Sequence, residues 1–191
     1  MGAPYYVQVL ASQRAAGRAI STWTTAVSVL NVADIVQLPV NWLQIGSKFR
    51  IRVMGTLTTV GTTSGTVTFQ VMMGSVVAWT SGAVQLTTTA EATGQTVIIE
   101  VVLRVTAVDQ SSGVAACTLT GAGFVTSLVT QLGAGAAVPT VTDSINLVPA
   151  TAPGNGTAFQ SETVENVDFW VGFSVSGNVF LCDDYTLEQL Q

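Results

Sequence analysis

Between Thr96 and Val108 every second residue is apolar: Val97, Ile99, Val101, Leu103, Val105 and Ala107 share one side of the run, and Glu100, Arg104 and Thr106 fall on the other. Successive side chains of a strand point to opposite faces, so this period of two describes a half-buried β-strand. The same period recurs along the chain. Phe49, Ile51, Val53 and Leu57 alternate with Arg50, Arg52 and Thr56; Val67, Phe69, Val71 and Met73 share a face; Val167, Phe169, Val171, Phe173 and Val175 alternate with Asp168, Trp170, Gly172 and Ser174. Each run is bounded by turn residues: Gly61-Thr62-Thr63-Ser64-Gly65, Asp109-Gln110-Ser111-Ser112-Gly113 and Ser176-Gly177-Asn178. Three hairpins are therefore predicted, Phe49–Leu57 with Thr66–Met73, Thr96–Val108 with Val114–Leu132, and Val167–Val175 with Val179–Leu187. Gly121-Ala122-Gly123 reads as a bend or bulge within the second.

Shorter strands are predicted at Tyr5–Leu10, Ala26–Leu30, Ile35–Leu38 and Val76–Thr80, and a turn at Pro39–Leu43. Roughly eight to ten strands at this spacing make an all-β fold. The expected architecture is an antiparallel β-sandwich of jelly-roll type, one domain over residues 1–191 with residues 1–22 as an N-terminal arm. Residues 133–160, with Pro139, Pro149, Pro153 and Gly154-Asn155-Gly156, form a long Gly/Ala/Pro-rich loop with a strand near Ser144–Val148. Long loops on rigid sandwiches often carry contacts.

Only 9% of the residues are charged, against about a quarter in an average domain. The uncharged surface this implies, built from Thr, Ser, Gly and Gln, suits a large protein–protein contact because few charges must be desolvated. No apolar stretch approaches the roughly 20 residues of a spanning helix, so no membrane is expected. The net charge is −5 and the basic residues are Arg14, Arg18, Lys48, Arg50, Arg52 and Arg104. The one cluster, Lys48 to Arg52, is too small to dominate an acidic protein's affinity for phosphate, so nucleic acid is not an expected partner. Cys117 and Cys182 are expected as free, buried thiols. The first 20 residues lack a secretory pattern, which favours synthesis in a cytoplasm.

The chain contains no histidine. That removes the Ser-His-Asp and Cys-His arrangements and the commonest ligand of catalytic zinc. Paired carboxylates for glycoside hydrolysis would come from Asp183 and Asp184, or from Glu162, Glu165 and Asp168. Adjacent residues on a strand face opposite ways, so Asp183 and Asp184 are not expected to converge, and both groups read as solvated carboxylates. The same Glu162/Glu165/Asp168 group offers oxygen ligands for calcium, without an EF-hand pattern. No enzyme, cofactor or metal site is expected. Among the aromatics Tyr5, Tyr6, Trp23, Trp42, Trp79, Trp170 and Tyr185, a sugar-stacking platform competes with core and interface roles. Interface candidates are Trp170, opposite Phe169 and Phe173 on its strand, with Arg50, Arg52, Tyr5 and Tyr6.

The stretch Pro39-Val40-Asn41-Trp42-Leu43-Gln44-Ile45-Gly46-Ser47-Lys48-Phe49-Arg50-Ile51-Arg52, the segment Ser81-Gly82-Ala83-Val84-Gln85-Leu86 and the closing Asp184-Tyr185-Thr186-Leu187-Glu188-Gln189-Leu190 together resemble the capsid decoration or cement proteins of tailed bacteriophages and related β-sandwich virion proteins. The resemblance is a general pattern over most of the chain and transfers no site residue. It implies a non-enzymatic homo-oligomer, often a trimer, made in the host cytoplasm and seated on the capsid surface, where it bridges subunits of the major capsid protein. The alternative expectation is a receptor- or carbohydrate-binding module of a tail fibre or adhesin, using the long loop and exposed aromatics.

Overall fold

The alternating runs become strands that pair into two antiparallel sheets. A computed structural model describes residues 7–21, 25–60, 65–86, 92–108, 117–127, 143–147 and 164–190. The strands are β1 (Val7–Ser12), β2 (Ala19–Ile20), β3 (Val27–Ser28), β4 (Val36–Leu38), β5 (Lys48–Thr59) and β6 (Thr66–Met73). They continue as β7 (Val76–Gln85), β8 (Ala92–Ala107), β9 (Thr118–Ser127), β10 (Asp143–Leu147), β11 (Glu165–Phe173) and β12 (Val179–Leu190). The larger sheet runs β1-β12-β5-β8-β9-β10, with β2 also beside β12; the smaller runs β3-β11-β6-β7, with β4 also beside β11. No helix of the described residues is long and apolar enough to cross a membrane.

The predicted inward residues are the ones that meet between the sheets. Phe49, Ile51, Val53 and Leu57 of β5 and Val97 to Val105 at odd positions of β8 face Val67, Phe69 and Val71 of β6 and Phe169 and Val171 of β11 across one buried core. Phe69 stacks on Phe169 within the smaller sheet at 6.2 Å and meets Phe180 of the larger sheet edge-on at 6.3 Å, the geometry that ring quadrupoles favour.

Two of the three predicted hairpins are instead arches between the sheets. β5 and β6 lie in different sheets, and so do β11 and β12. β5 pairs with β8 and β12, while β6 pairs with β7 and β11. Alternation cannot separate the two cases, because a chain that reverses within a sheet and one that arches over the core both keep the same residues inside. The arches lie side by side and are tied together. The buried Asn178 side chain accepts from Val60 N–H at 3.1 Å, and Ser174 Oγ accepts from Thr66 N–H at 2.8 Å. The β8–β9 pairing is as predicted, from Val97 opposite Ser127 to Arg104 opposite Thr120.

Gly121 and Gly123 do not interrupt β9; they make room on its inner face. A Cβ on Gly121 would lie 2.4 Å from Leu103 Cδ2 and 3.3 Å from Trp79 Cδ1, and one on Gly123 would lie 3.4 Å from Trp79 Cζ2. The indole of Trp79, from β7 of the opposite sheet, thus packs against the bare backbone of β9. The predicted turn at Pro39–Leu43 is present, with Asn41 at φ 57°, a left-handed conformation that Asn tolerates better than most residues.

Candidate interaction faces

With both inner faces consumed by the core, what remains for function is the two outer faces and the sheet edges. The outer face of the larger sheet collects the even-numbered residues of β5 and β8 and their register partners. Four of the six basic residues lie here: Lys48, Arg50, Arg52 and Arg104. Arg50 binds Glu188 on the neighbouring β12, with Nε donating at 2.6 Å and Nη2 at 2.5 Å to the same carboxylate oxygen. Arg52 lies opposite Glu100 in the register of β5 and β8.

Lys48 is different. Its cross-strand partner is Arg104, and the next residues outward are Leu190 on β12 and Thr120 on β9. Like charges placed directly opposite repel, and this exposed pair has no carboxylate at its register positions. Val7, Val9, Met54 and Val102 are exposed on the same face at 52, 55, 40 and 37%. One row across the sheet reads Val9, Glu188, Arg50, Val102, Ala122. The face therefore mixes exposed apolar side chains with cations on a chain whose overall charge is −5. Large exposed hydrophobics rimmed by polar groups are what docking surfaces present.

The smaller sheet's outer face has another character. Its residues on β6 are Thr66, Thr68 and Gln70, uncharged and half-buried. Trp170 sits on β11 directly between Gln70 of β6 and Ser28 of β3. Its indole Nε1–H donates to Asp168 Oδ2 at 2.6 Å, while Asp168 Oδ1 accepts from Ser28 Oγ at 2.9 Å and from Phe169 N–H at 2.7 Å. Asp168 is only 7% exposed, which corrects its reading as a solvated carboxylate. Burial pushes its pKa above the ordinary carboxylate value, against the opposing pull of those three hydrogen bonds and the Arg18 charge. The three donors explain why a carboxylate is tolerated there.

At the edge of the sandwich a groove of about 360 Å³ separates β1 from the 3-10 turn Val32–Asp34 and β4. Asp34 lines it, nearly buried, and accepts from Arg14 N–H at 3.3 Å.

The interface candidates are thus not brought together. Arg50 and Arg52 lie on the larger sheet's outer face, and Trp170 on the smaller sheet's, at the far side of the molecule; Tyr5 and Tyr6 lie outside the described residues, as do Trp23, Glu162 and, apart from β10, the 133–160 loop. Asp183 and Asp184 are solvated as expected, but they do not alternate between faces. A register shift between Cys182 and Asp184 breaks the alternation, and both carboxylates are exposed. That bulge leaves no trace in composition. Among the described residues no three His, Cys, Asp or Glu side chains gather as metal ligands. Cys117 and Cys182 are free and buried. Burial, with the charges of Asp183 and Asp184, pushes the Cys182 thiol up to about 12, and burial likewise raises the Tyr185 phenol. Both shifts oppose nucleophilic use. The opposition of Lys48 and Arg104 was not visible in the sequence, since it depends on the register of two strands more than 40 residues apart.

No protein-family model and no curated protein matches the chain. Its class rests on the structure: an all-β protein of two antiparallel sheets packed face to face.

Proposed function

We propose that this chain is a non-enzymatic virion structural protein, a capsid decoration or cement protein of a tailed bacteriophage, which binds the major capsid protein as a homo-oligomer, with a trimer favoured. The observation that carries this reading is the outer face of the larger sheet, where the Lys48–Arg104 pair adjoins exposed Val102, and exposed Met54 lies further along β5 on the same face, on an otherwise acidic chain. The partner surface that fits it is acidic opposite the cations and apolar opposite the two hydrophobic side chains. Twelve strands in the described residues, with connections crossing between the sheets at β2–β3, β4–β5, β5–β6, β7–β8, β10–β11 and β11–β12, support a jelly-roll winding of a single domain. A rigid block of this kind stabilises a shell by mass action, since it binds the assembled lattice and not its separated subunits.

Virions lacking the protein are expected to lose resistance to heat and low salt, and to regain it when the purified chain is added back. Equal resistance with and without it would remove the cement role.

A further inference from the structure

The geometry points to a second binding site, for neutral carbohydrate, on the outer face of the smaller sheet. A groove of about 230 Å³ opens there, lined by Ala26, Thr66, Thr68, Gln70, Gly172 and Ser174 among others. One wall depends on a glycine. A Cβ at Gly172 would lie 2.9 Å from the backbone of Ala26, so only glycine lets the chain before β3 cross so close to β11. The opposite wall is the polar face of β6.

The chemistry of the lining selects the ligand. Thr66, Thr68 and Ser174 supply hydroxyls and Gln70 an amide, each able both to donate and to accept. No ionisable side chain lines the groove, so a charged ligand would be desolvated without compensation. An apolar ligand would cover these hydroxyls and the amide without pairing them. The Thr68 and Gln70 side chains make no hydrogen bond within the described residues, so their capacity is unspent. A neutral polyol satisfies all of these conditions.

The aromatic partner lies one register step away. Trp170 is the cross-strand neighbour of Gln70 and shares a face with Gly172. Its ring is part-exposed, and the 2.6 Å bond from Nε1 to the buried Asp168 fixes the orientation of the indole. A ring held in place by its polar edge can stack on the C–H face of a sugar without losing further rotamer freedom. Asp168 and Ser28 then act as positioning residues for that ring. The site faces away from the proposed docking surface, and so would stay open on an attached copy.

The test is a nuclear magnetic resonance titration of the full chain with neutral linear oligosaccharides (maltohexaose, cellohexaose and chitohexaose), with sialylated and sulfated oligosaccharides as comparators. At least one neutral sugar is expected to shift the Trp170 indole N–H and Gln70 side-chain amide signals saturably, with Kd on the order of millimolar or tighter. Trp170→Ala and, independently, Gln70→Ala are expected to weaken binding about tenfold or more. Thr120→Ala on the opposite sheet should leave it unchanged. Gln70→Ala removes only a half-exposed side chain, so it keeps the test decisive if loss of Trp170 disturbs β11. Absence of any shift with the neutral sugars, stronger shifts with the anionic ones, or undiminished binding by a folded Gln70→Ala variant would overturn the assignment.

Discussion

Replacing Trp79 tests how the two sheets are held together. Its indole is 1% exposed and lies against Gly121 and Gly123, which have no side chains of their own to swing in and fill a vacancy. Trp→Ala truncations in cores cost about 3–5 kcal/mol, and sites that cannot collapse fall toward the upper end. One term works the other way. Trp79 Nε1 is buried with no hydrogen-bond partner among the described residues, and removing an unpaired donor recovers about 1–3 kcal/mol. The net expectation for Trp79→Ala is therefore a loss of about 3 kcal/mol. With an m-value of about 2 kcal/mol/M in urea, the unfolding midpoint should fall by about 1.5 M. Trp79→Phe keeps most of the ring and discards the orphan N–H, so it should stay within about 1 kcal/mol of the parent protein. Urea unfolding followed by far-ultraviolet circular dichroism measures both without relying on the fluorescence of the residue removed. A loss below about 1 kcal/mol for the Ala variant, or a Phe variant as damaged as the Ala one, would refute the reasoning.

Asp168 gives a pH signature. Because burial raises its pKa in the folded protein above the ordinary carboxylate value of 3.8, the native state binds this proton more tightly than the unfolded chain. Its contribution is thus intact below the unfolded value, declines as pH rises toward the native value, and is constant beyond it. The carboxyl carbon shift of Asp168 should titrate with a midpoint above 3.8; a midpoint at or below that value would contradict the dominance of burial. Asp168→Asn should abolish this decline while costing about 1–3 kcal/mol at neutral pH, because one of the three donors then meets an NH₂ group. Cys182, with its thiol pushed up to about 12 and fully buried, should resist thiol-disulfide reagents at pH 8 in the native protein and react in urea. Equal rates in both conditions would place that sulfur in contact with solvent.

Alternation made the strands legible because burying one face of a sheet leaves little freedom in composition. Val97 to Val105 and Phe49 to Leu57 were recognisable as inward stripes, and both lie in the core. Of the three predicted pairings, only that of β8 with β9 was legible. The segments flanking Gly61–Gly65 and Ser176–Asn178 look like hairpins, since nothing local records whether the chain turns within a sheet or over it; the distinction resides in contacts such as Val60 with Asn178, far apart in sequence. The same holds for the candidate surfaces. Arg50 and Trp170 each stood out by residue type, but their separation onto opposite faces follows from which sheet each strand joins. The burial of Asp168 was hidden for a related reason: two of its donors, Phe169 and Trp170, are local, but Ser28 arrives from β3, 140 residues away.

The central claim, attachment through the outer face of the larger sheet, is tested most directly by co-sedimentation of purified chain with particles that lack it. The comparison is between the parent protein and a Lys48→Glu/Arg104→Glu variant, at about 50 and 200 mM salt, where screening differs about twofold in range. The parent protein is expected to bind, less tightly at the higher salt, and the charge-reversed variant to bind at least about tenfold more weakly while unfolding at a similar urea concentration. Binding of the variant equal to that of the parent protein at both salt concentrations would contradict the assignment of this face.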